Sequence, residues 1–386
     1  MGPLRQSVYG CSVSTREVRR SLMSASSPVI FVTGGAGFIG SHWVRYLLQH
    51  TNAQVVNLDA LTYAGNLQGW GPWLEHPRHL FYHGSIGDAE LVKKIIETHR
   101  PQAVVHLAAE SHVDRSIDGP SIFVETNVLG TTTLLREVES YWRQLPQEQR
   151  DSFRFLHLST DEVFGSLGPE EAPFTELSPY APRSPYSASK AAADHMVRAW
   201  QDTYGLPTVI VHCSNNYGPR QFPEKLIPLA IVRMLHDEPI PLYGDGMQVR
   251  DWVHVEDHCR ALACLFEKAQ AGERYVIGSG REITNRDLLE KVCAVMDEQS
   301  PHPRGVPYVS LMTHVNDRPG HDRRYAIDAA LIRKNYDWQP QIPIEQGLRD
   351  TVSWYLENRE WWLQILQQGS KITQRRGVIP FPHRQL

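Results

Sequence analysis

Short, continuous apolar segments alternate with helical stretches over the first half of the chain. The apolar segments are rich in β-branched residues and are Val29–Thr33, Gln54–Leu58, Ala103–Leu107, Phe153–Leu158 and Thr208–His212. Unbroken runs of this kind are typical of parallel strands that are buried on both faces. The helices predicted between them are Ser41–His50, Ala89–Thr98, Pro120–Trp142 and Ser187–Tyr204. This alternation predicts an α/β fold with a doubly wound parallel sheet.

A glycine-rich turn, Gly34 to Gly40, follows the first predicted strand and leads into the first predicted helix. Gly35, Gly37 and Gly40 fit the pattern G-x-G-x-x-G. Glycines let the backbone approach a diphosphate closely, and the helix N-terminus directs free N–H groups at anionic oxygen. Asp59 ends the next strand, where a carboxylate can bind a ribose hydroxyl, and no arginine directly follows it. The pattern therefore predicts a Rossmann-type site for NAD rather than NADP, with a turn that serves packing alone as the alternative.

The composition changes after Cys213, where proline and glycine become frequent. We predict an NAD-binding domain at 28–213, to which later segments near 248–278 return, with a late strand at Tyr275–Ile277. We predict a smaller, discontinuous α/β substrate-binding lobe from 214–247 and 279–345, and a C-terminal helix and tail at 346–386. Residues 1–27 are predicted to be a disordered leader, with a transit peptide or a later start at Met23 as alternatives.

Charge and cysteine usage narrow the class of protein. The 39 basic and 43 acidic side chains give a net charge of −4, which argues against a nucleic-acid-coating protein. The five cysteines are odd in number and form no CxxC pair, so we expect no disulfide framework and a cytoplasmic location. No apolar run is long enough to span a bilayer. His254 and His258 flank two acids without forming H-E-x-x-H, and we predict no metal site.

Two groups of side chains are suited to acid–base chemistry. Tyr186 and Lys190 are four residues apart and so share one face of a predicted helix. A nearby ammonium favours the phenolate, so Tyr186 can take a proton from a substrate hydroxyl that is being oxidised. Thr160, Asp161 and Glu162 follow a strand at the sheet edge that binds ligands in such folds. Paired carboxyl groups can supply an acid and a base together, which indicates elimination of water; a turn or helix cap is the structural alternative.

Longer motifs extend this pattern: L-A-A-E-S-H-V-D-R-S at 107–116, S-N-N-Y-G-P at 214–219, F-P-E-K-L at 222–226, R-D-W at 250–252 and R-P-G-H-D-R-R-Y at 318–325. Together with the glycine-rich turn, S-T-D-E-V at 159–163 and Y-S-A-S-K at 186–190, they resemble the extended short-chain dehydrogenase/reductases. Within that superfamily they resemble the NAD-dependent nucleotide-sugar 4,6-dehydratases that act on dTDP-glucose. The similarity runs from about Val29 to about Trp361, and the T-D-E run is its specific part.

The resemblance implies dehydration of dTDP-glucose to dTDP-4-dehydro-6-deoxyglucose by internal hydride transfer from C4 to C6 through bound NAD. It implies that Tyr186 is the base at the 4-hydroxyl, Glu162 the base at C5 and Asp161 the acid at the C6 hydroxyl. Thr160 and Lys190 would assist. It further implies a homodimer formed through the helices at Pro120–Trp142 and Ser187–Tyr204.

The same resemblance implies two sets of binding residues. The cofactor positions are Gly34, Gly37, Phe38, Ile39, Gly40, Asp59, Ala60, Leu61, Thr62, Ser85, Ile86, Leu107, Ala108, Ala109, Ser111, Thr126, Tyr186, Lys190 and Asn216. The substrate positions are Ser111, Thr160, Asn215, Lys225, Leu226, Pro241, Leu242, Tyr243, Arg250, Asn285, Asp317, Arg318, Pro319, Gly320 and His321. Arg250 and Arg318 suit a diphosphate, because guanidinium groups pair with phosphate oxygens.

Some features depart from the family pattern. Ser85 stands where an acid is usual beside Ile86, Phe164 where a Tyr is frequent, and Arg281 where an Asn is common. A UDP-sugar 4-epimerase or decarboxylase on the same scaffold is one alternative, and a non-catalytic NAD-sensing regulator is another. The choice between dTDP and UDP also stays open, because the methyl group of thymine is recognised by pocket shape.

Overall fold

The computed structural model describes residues 27–68 and 70–368. Most of the predicted leader and the tail after residue 368 lie outside this range. The strands are β1 (Val29–Thr33), β2 (Gln54–Asp59), β3 (His79–His83), β4 (Ala103–His106), β5 (Arg154–Thr160), β6 (Thr208–Cys213), β7 (Asn215–Tyr217), β8 (Ile240–Tyr243), β9 (Val249–His254), β10 (Arg274–Ile277), β11 (Glu282–Thr284) and β12 (Met312–Val315).

The helices alternate with these strands in the first half of the chain. The α-helices are α1 (Phe38–His50), α2 (Ala89–His99), α3 (Val113–Asp118), α4 (Ser121–Phe123), α5 (Thr131–Arg143), α6 (Gln147–Ser152), α7 (Pro185–Tyr204), α8 (Leu226–Leu235), α9 (Val255–Lys268), α10 (Asn285–Gln299), α11 (Ala330–Tyr336), α12 (Ile344–Glu357) and α13 (Arg359–Gln368). Within this described part of the chain, no helix is both long and apolar enough to cross a membrane.

The main sheet has seven parallel strands in the order β10-β6-β5-β4-β1-β2-β3. Both of its faces are buried. Ile30 and Val32 of β1 belong to one apolar cluster, and Phe31 between them belongs to another. Trp43 of α1 packs in the first cluster and Leu134 of α5 in the second. Because each face is covered by helices, neither face alternates with polar residues, and the predicted fold class is confirmed.

The predicted strands and helices of this half agree with the structure to within two residues at almost every end. The edge strand β3 was missed. Its side chains are mostly half-buried, so its sequence, His79–His83, lacks an unbroken apolar run. The helix predicted at Pro120–Trp142 is real but interrupted, because residues Val124–Gly130 form wider π turns between α4 and α5. Segments of this type are frequent at functional sites.

The second half of the chain builds smaller sheets beside the carboxyl edge of the main sheet. Strands β11, β9 and β7 form a three-stranded sheet, and β12 pairs with β8. A third apolar cluster joins α8, α10 and α12, with Ile231, Leu289 and Leu348 fully buried in it. Helix α9 instead packs on the main sheet, and β10 is an edge strand of that sheet. Leu262 of α9 and Tyr275 of β10 both belong to the first apolar cluster. The predicted domain boundaries stay a prediction.

Candidate active site

The turn after β1 is shaped by its glycines. Gly34 has a φ of +75°, and a Cβ there would lie 2.4 Å from the backbone nitrogen of Ala108. A Cβ on Gly40 would lie 2.1 Å from the carbonyl oxygen of Gly34, so both positions exclude a side chain. Gly37 lines a large cavity, and a Cβ built on it would meet only the carbonyl oxygen of Gly34, at 3.3 Å. Gly37 thus leaves space that a ligand can fill, at the N-terminus of α1.

Asp59 stands beside this turn at the end of β2. One carboxylate oxygen accepts a hydrogen bond from the N–H of Ala36 at 2.8 Å, and the other accepts one from the N–H of Leu61, also at 2.8 Å. These bonds fix the carboxylate at the cavity wall, while burial raises its pKa. Leu61 adopts a φ of 48°, which turns the chain around the carboxylate. Asp59 is thereby held in place and oriented.

The cavity has a volume of about 530 Å³ and runs from the glycine-rich turn to the carboxyl end of β5. Every predicted cofactor position except Leu61 lines it. The wall includes Thr126, which the π segment presents, and also Ser85 and Ile86, the pair that departs from the family pattern. No metal-binding cluster of three or more His, Cys, Asp or Glu side chains was found among the residues that the structure describes.

The predicted catalytic residues meet in this cavity. Thr160 is the last residue of β5, and Asp161 and Glu162 begin the short 3₁₀ turn that follows. The Thr160 hydroxyl donates to an oxygen of Asp161 at 3.3 Å and accepts the N–H of Glu162 at 3.3 Å. The other carboxyl oxygen of Asp161 is buried and has no hydrogen-bond partner within the described chain. This oxygen is the buried polar atom that a ligand in the cavity would satisfy.

Tyr186 and Lys190 reach the same place from α7. Ser184 and Ser187 form a capping box at the start of this helix, which positions its first turn. Lys190 donates from Nζ to the carbonyl oxygen of Leu158 at 2.7 Å, and Thr160 lies near enough to Tyr186 to favour a lower pKa of the phenol. Both side chains line the cavity with the carboxyl pair. The structure thus brings all five predicted catalytic residues together, although they come from two separate segments.

The ionisation of these groups is strongly influenced by burial. Burial raises the pKa of Asp161 well above its ordinary value, and the charge of Glu162 adds to this effect. Burial also raises the pKa of Glu162, but the cations Arg318, Arg250 and Lys225 oppose the change. For Tyr186, burial and the charge of Glu162 hold the pKa well above that of free tyrosine. In the chain alone, the proton therefore stays on Tyr186.

Only some of the predicted substrate positions line the cavity. Ser111, Thr160, Asn215 and Lys225 line the cavity, and Lys225 donates from Nζ to the carbonyl oxygen of Ser111 at 3.1 Å. The remaining predicted substrate positions do not line it. They are Leu226, Pro241, Leu242, Tyr243, Arg250, Asn285, Asp317, Arg318, Pro319, Gly320 and His321.

The two predicted diphosphate partners are engaged with protein groups. Arg250 donates to the carbonyl oxygens of Val249 and Asp322 at 2.7 and 2.9 Å. Arg318 forms an ion pair with Asp114 at 3.1 Å. Both arginines are nevertheless near enough to Glu162 to influence its pKa. They lie in the environment of the carboxyl pair but outside the cavity wall.

Several residues of the wall were not predicted from the sequence. Arg45, Trp70, Arg220 and Trp361 line the cavity, and Trp361 donates from its indole nitrogen to the carbonyl oxygen of Gln68 at 3.0 Å. Arg45 had a usable signal, because it is an arginine within the apolar stretch of the first helix. Trp361 had none, because more than 290 residues separate it from Gln68.

The fold and the site define a Rossmann-type protein with a nucleotide-sized cavity and an acid–base cluster at the carboxyl edge of its sheet. The chain belongs to the GDP-mannose 4,6 dehydratase family, whose model matches residues 31–351. It is 53% identical over 351 residues to the dTDP-glucose 4,6-dehydratase of Neisseria meningitidis, covering 90% of this chain and 99% of that protein.

Two solved structures of similar proteins agree with this assignment. The dTDP-glucose 4,6-dehydratase of Streptomyces venezuelae, solved with NAD bound, is 46% identical with a TM-score of 0.79, covering 87% of this chain and 99% of that one. The dTDP-glucose 4,6-dehydratase of Bacillus anthracis, also in complex with NAD, is 43% identical with a TM-score of 0.77. That match covers 88% of this chain and 100% of the other.

Proposed function

We propose that this protein is an NAD-dependent enzyme that dehydrates dTDP-glucose to dTDP-4-dehydro-6-deoxyglucose. The observation that carries the proposal is the carboxyl pair, Asp161 and Glu162, which shares one cavity with Tyr186 and Lys190. A simple oxidoreductase needs the tyrosine and lysine but not the two acids. Relatives with the same activity in their names match this chain over nearly all of their length.

The residues of the chain fit NAD. The open space at Gly37 and the start of α1 suits a diphosphate, and Asp59 presents an oriented carboxylate for a ribose hydroxyl. The remaining wall is provided by the predicted cofactor positions. When bound, NAD accepts hydrogen from C4 of the sugar and returns it to C6.

Tyr186 is proposed to remove the proton from the sugar 4-hydroxyl. Its raised pKa means that it becomes a base only when positive charge is added to the pocket. Lys190 is already part of this pocket, with its ammonium fixed by the carbonyl oxygen of Leu158, so the further positive charge has to come with the bound cofactor. Asp194, one helical turn further along α7, favours the charged form of Lys190 against the effect of burial. Thr160 lines the same cavity as Tyr186 and can orient the reacting hydroxyl.

The two acids are proposed to divide the elimination between them. The pKa of Asp161 is raised well above its ordinary value, so Asp161 keeps a proton that it can give to the departing C6 oxygen. The opposing cations favour the carboxylate form of Glu162, so this residue can take the proton from C5 and give one back to C5 when hydrogen is delivered to C6. A pair of groups with such different environments supplies the acid and the base together. Ketone formation at C4 makes the C5 proton acidic enough to be removed.

The decisive experiment incubates the purified protein with NAD and either dTDP-glucose or UDP-glucose, and analyses the sugar by mass spectrometry and NMR. A 4-keto-6-deoxy sugar that has lost one water supports the proposal. The substrate that reacts faster shows whether the protein prefers the thymine or the uracil nucleotide. A galactose product would instead identify an epimerase. With UDP-glucuronate as a third substrate, a product that has lost carbon dioxide would identify a decarboxylase, and NAD binding without turnover of any substrate would identify a regulator.

We further propose that the protein is a cytoplasmic homodimer. Ile122, Val124 and Leu129 on the α4–π–α5 segment are about half exposed, and Tyr204 at the end of α7 is also exposed. Exposed apolar side chains on these helices are candidates for an interface, and a second copy of the chain is the proposed occupant. The five cysteines are odd in number and form no CxxC pair, which favours a reducing compartment. Light scattering at several protein concentrations tests the dimer.

A further inference from the structure

Asp194 is a buried carboxylate behind the proposed active site. It lies on α7, about one helical turn after Lys190 and two turns after Tyr186, and it is not part of the cavity wall. A buried carboxylate is costly unless hydrogen-bond donors replace the water that it has lost. The donors around Asp194 therefore show which parts of the chain this residue holds in place.

Four side chains of the described residues donate hydrogen bonds to this carboxylate. His157 donates from Nε2 to one oxygen at 3.0 Å, and Ser159 donates from its hydroxyl to the other at 2.7 Å. The hydroxyl of Tyr180 and the Nε2 of His212 reach the second oxygen at 3.2 and 3.0 Å. His157 and Ser159 belong to β5, and His212 belongs to β6. The carboxylate of Asp194 thus joins α7 to both strands.

These contacts fix the helix against the strand that carries the acid pair. Leu158 lies between the two β5 donors, and its carbonyl oxygen accepts the hydrogen bond from Lys190 at 2.7 Å. Three consecutive residues of β5 are therefore tied to two successive turns of α7. Thr160 follows directly in the chain and leads to the two carboxyl groups. The bonds to Asp194 and from Lys190 together set the distance between the two halves of the site.

The surroundings of Asp194 favour a negative charge on its carboxylate. Burial alone would raise the pKa of Asp194, but the hydrogen bonds from His157 and His212 lower it. Burial also lowers the pKa of His157 to about 4, so this ring is neutral at pH 7. The Nδ1 atoms of both rings are buried without a hydrogen-bond partner in the described chain. A proton on either Nδ1 would be a buried donor without an acceptor, which favours donation from Nε2 alone.

The charge of Asp194 acts on Lys190. Burial lowers the pKa of Lys190, and the charge of Asp194 opposes this change. The other titratable groups that face Lys190 from its own helix and from the neighbouring strands are Tyr186 of α7, His106 of β4, His157 of β5 and Cys213 of β6. Burial lowers the pKa of both histidines and raises the pKa of the thiol and of the phenol, so these four groups are neutral near pH 7.

We propose that Asp194 is a positioning residue that holds residues 160–162 against Tyr186 and Lys190 and supplies the counter-charge of the Lys190 ammonium. The inference rests on the proposed function, because it assigns how the geometry of that site is maintained. Asp194 acts through the groups that it binds, since it does not line the cavity itself. A carboxylate that only stabilised the core would have no influence on the protonation of Lys190.

The first test measures the protonation of Lys190 directly, in the full chain saturated with NAD. Lysine side chains are labelled with carbon-13 at Cε and titrated by NMR, and the signal that is absent in Lys190→Arg identifies Lys190. Asp194→Asn keeps the shape of the side chain and removes its charge. The midpoint of the Lys190 titration should fall by about 1 to 2 in pH, because the ammonium loses an opposite charge. An unchanged midpoint overturns the proposal, and this result requires no turnover of dTDP-glucose.

A second buried aspartate provides the matched control. Asp257 of α9 is fully buried, accepts the N–H groups of Gln341 and Ile342 at 2.8 and 3.0 Å, and does not line the cavity. Asp257→Asn should lower stability, as Asp194→Asn does, but should leave the Lys190 midpoint in place. An equal fall of the midpoint in both variants would assign it to destabilisation and overturn the proposal.

A milder variant tests the positioning role. Tyr180→Phe removes one of the four donors to Asp194, leaves the carboxylate in place, and changes a half-buried side chain outside the cavity wall. We expect kcat to fall about three- to tenfold, less than the roughly hundredfold effect of a full ångström of misplacement, with the KM for dTDP-glucose and the NAD affinity unchanged. An unchanged kcat overturns the positioning role. Failure of the parent to dehydrate dTDP-glucose counts against the proposed function, whereas the Lys190 titration judges Asp194 without turnover.

Discussion

Replacing Glu162 by glutamine separates the proposed elimination from the proposed oxidation. The amide has nearly the same shape as the carboxylate but cannot take the proton from C5. A positioned general base contributes about 10²- to 10⁴-fold to a rate, which is about 3 to 5 kcal/mol of barrier. We therefore expect proton exchange at C5 to slow by that factor. Cofactor binding should be retained, because Glu162 lies at the end of the cavity opposite the glycine-rich turn.

The same change should act on the neighbours of Glu162 in the opposite direction. Its charge raises the pKa of both Asp161 and Tyr186. Removing a neighbouring like charge lowers such a pKa by about one unit, or about 1.4 kcal/mol. The oxidation step should therefore reach its full rate at a lower pH in the variant. A variant that had merely unfolded could not show this gain.

The assay follows both steps on one sample. Deuterium incorporation at C5 from heavy water is followed by NMR, and formation of reduced cofactor is followed by its absorbance over a range of pH. Glu170→Gln, an exposed change in the loop after the 3₁₀ turn, serves as the control and should leave both readouts unchanged. Exchange at C5 as fast as in the parent would refute the role of Glu162.

Three other predictions test separate parts of the structure. Tyr186→Phe should abolish the rise in reduced-cofactor absorbance on adding substrate, and a normal rise would remove Tyr186 as the base. Gly34→Ala should lower the free energy of unfolding by about 2–4 kcal/mol in urea denaturation, because its Cβ would meet backbone at 2.4 Å; Gly71→Ala, whose Cβ meets nothing within 4 Å, should cost only about 1 kcal/mol. Folding raises the pKa of Asp161 above its ordinary 3.8, so this carboxyl makes the parent less stable as pH rises from 3.8 to the folded pKa. The stability gained in Asp161→Asn should therefore grow over that interval by about 1.4 kcal/mol for each increase of one in pH, and a gain that is constant with pH would contradict the assignment.

The parts of the fold that the sequence predicts well are those in which one physical requirement dominates. A strand buried on both faces must be apolar throughout, and β1, β4 and β6 could be located for that reason. The glycine-rich turn was visible because close packing at Gly34 and Gly40 tolerates no side chain. Requirements that concern residues close together in the chain can therefore be recognised in the sequence itself.

The features that could not be predicted depend on residues distant in the sequence. Strand β3 lies at the sheet edge and is only half-buried. Its polar side chains interrupt the apolar run by which a buried strand is recognised. Arg220 and Trp361 reach the cavity wall only through tertiary packing, which no spacing reveals. Arg318 pairs with Asp114, more than 200 residues earlier in the chain, and no spacing in the sequence indicates this pair. Pairings at this separation require the three-dimensional arrangement.

The π segment at Val124–Gly130 separates the geometry of the cavity wall from the packing on the sheet. An α-helix turns about 100° with each residue, and a wide turn absorbs one residue more than regular geometry would hold. Thr126 lies in this segment and lines the cavity, whereas Leu134, Leu135 and Val138 beyond it cover the sheet. Deleting one residue would close the wide turn into an ordinary helix and would leave Leu134, Leu135 and Val138 facing the sheet, but it would move the side chains of the segment itself. The cavity wall should therefore be more sensitive to such a deletion than the packing on the sheet.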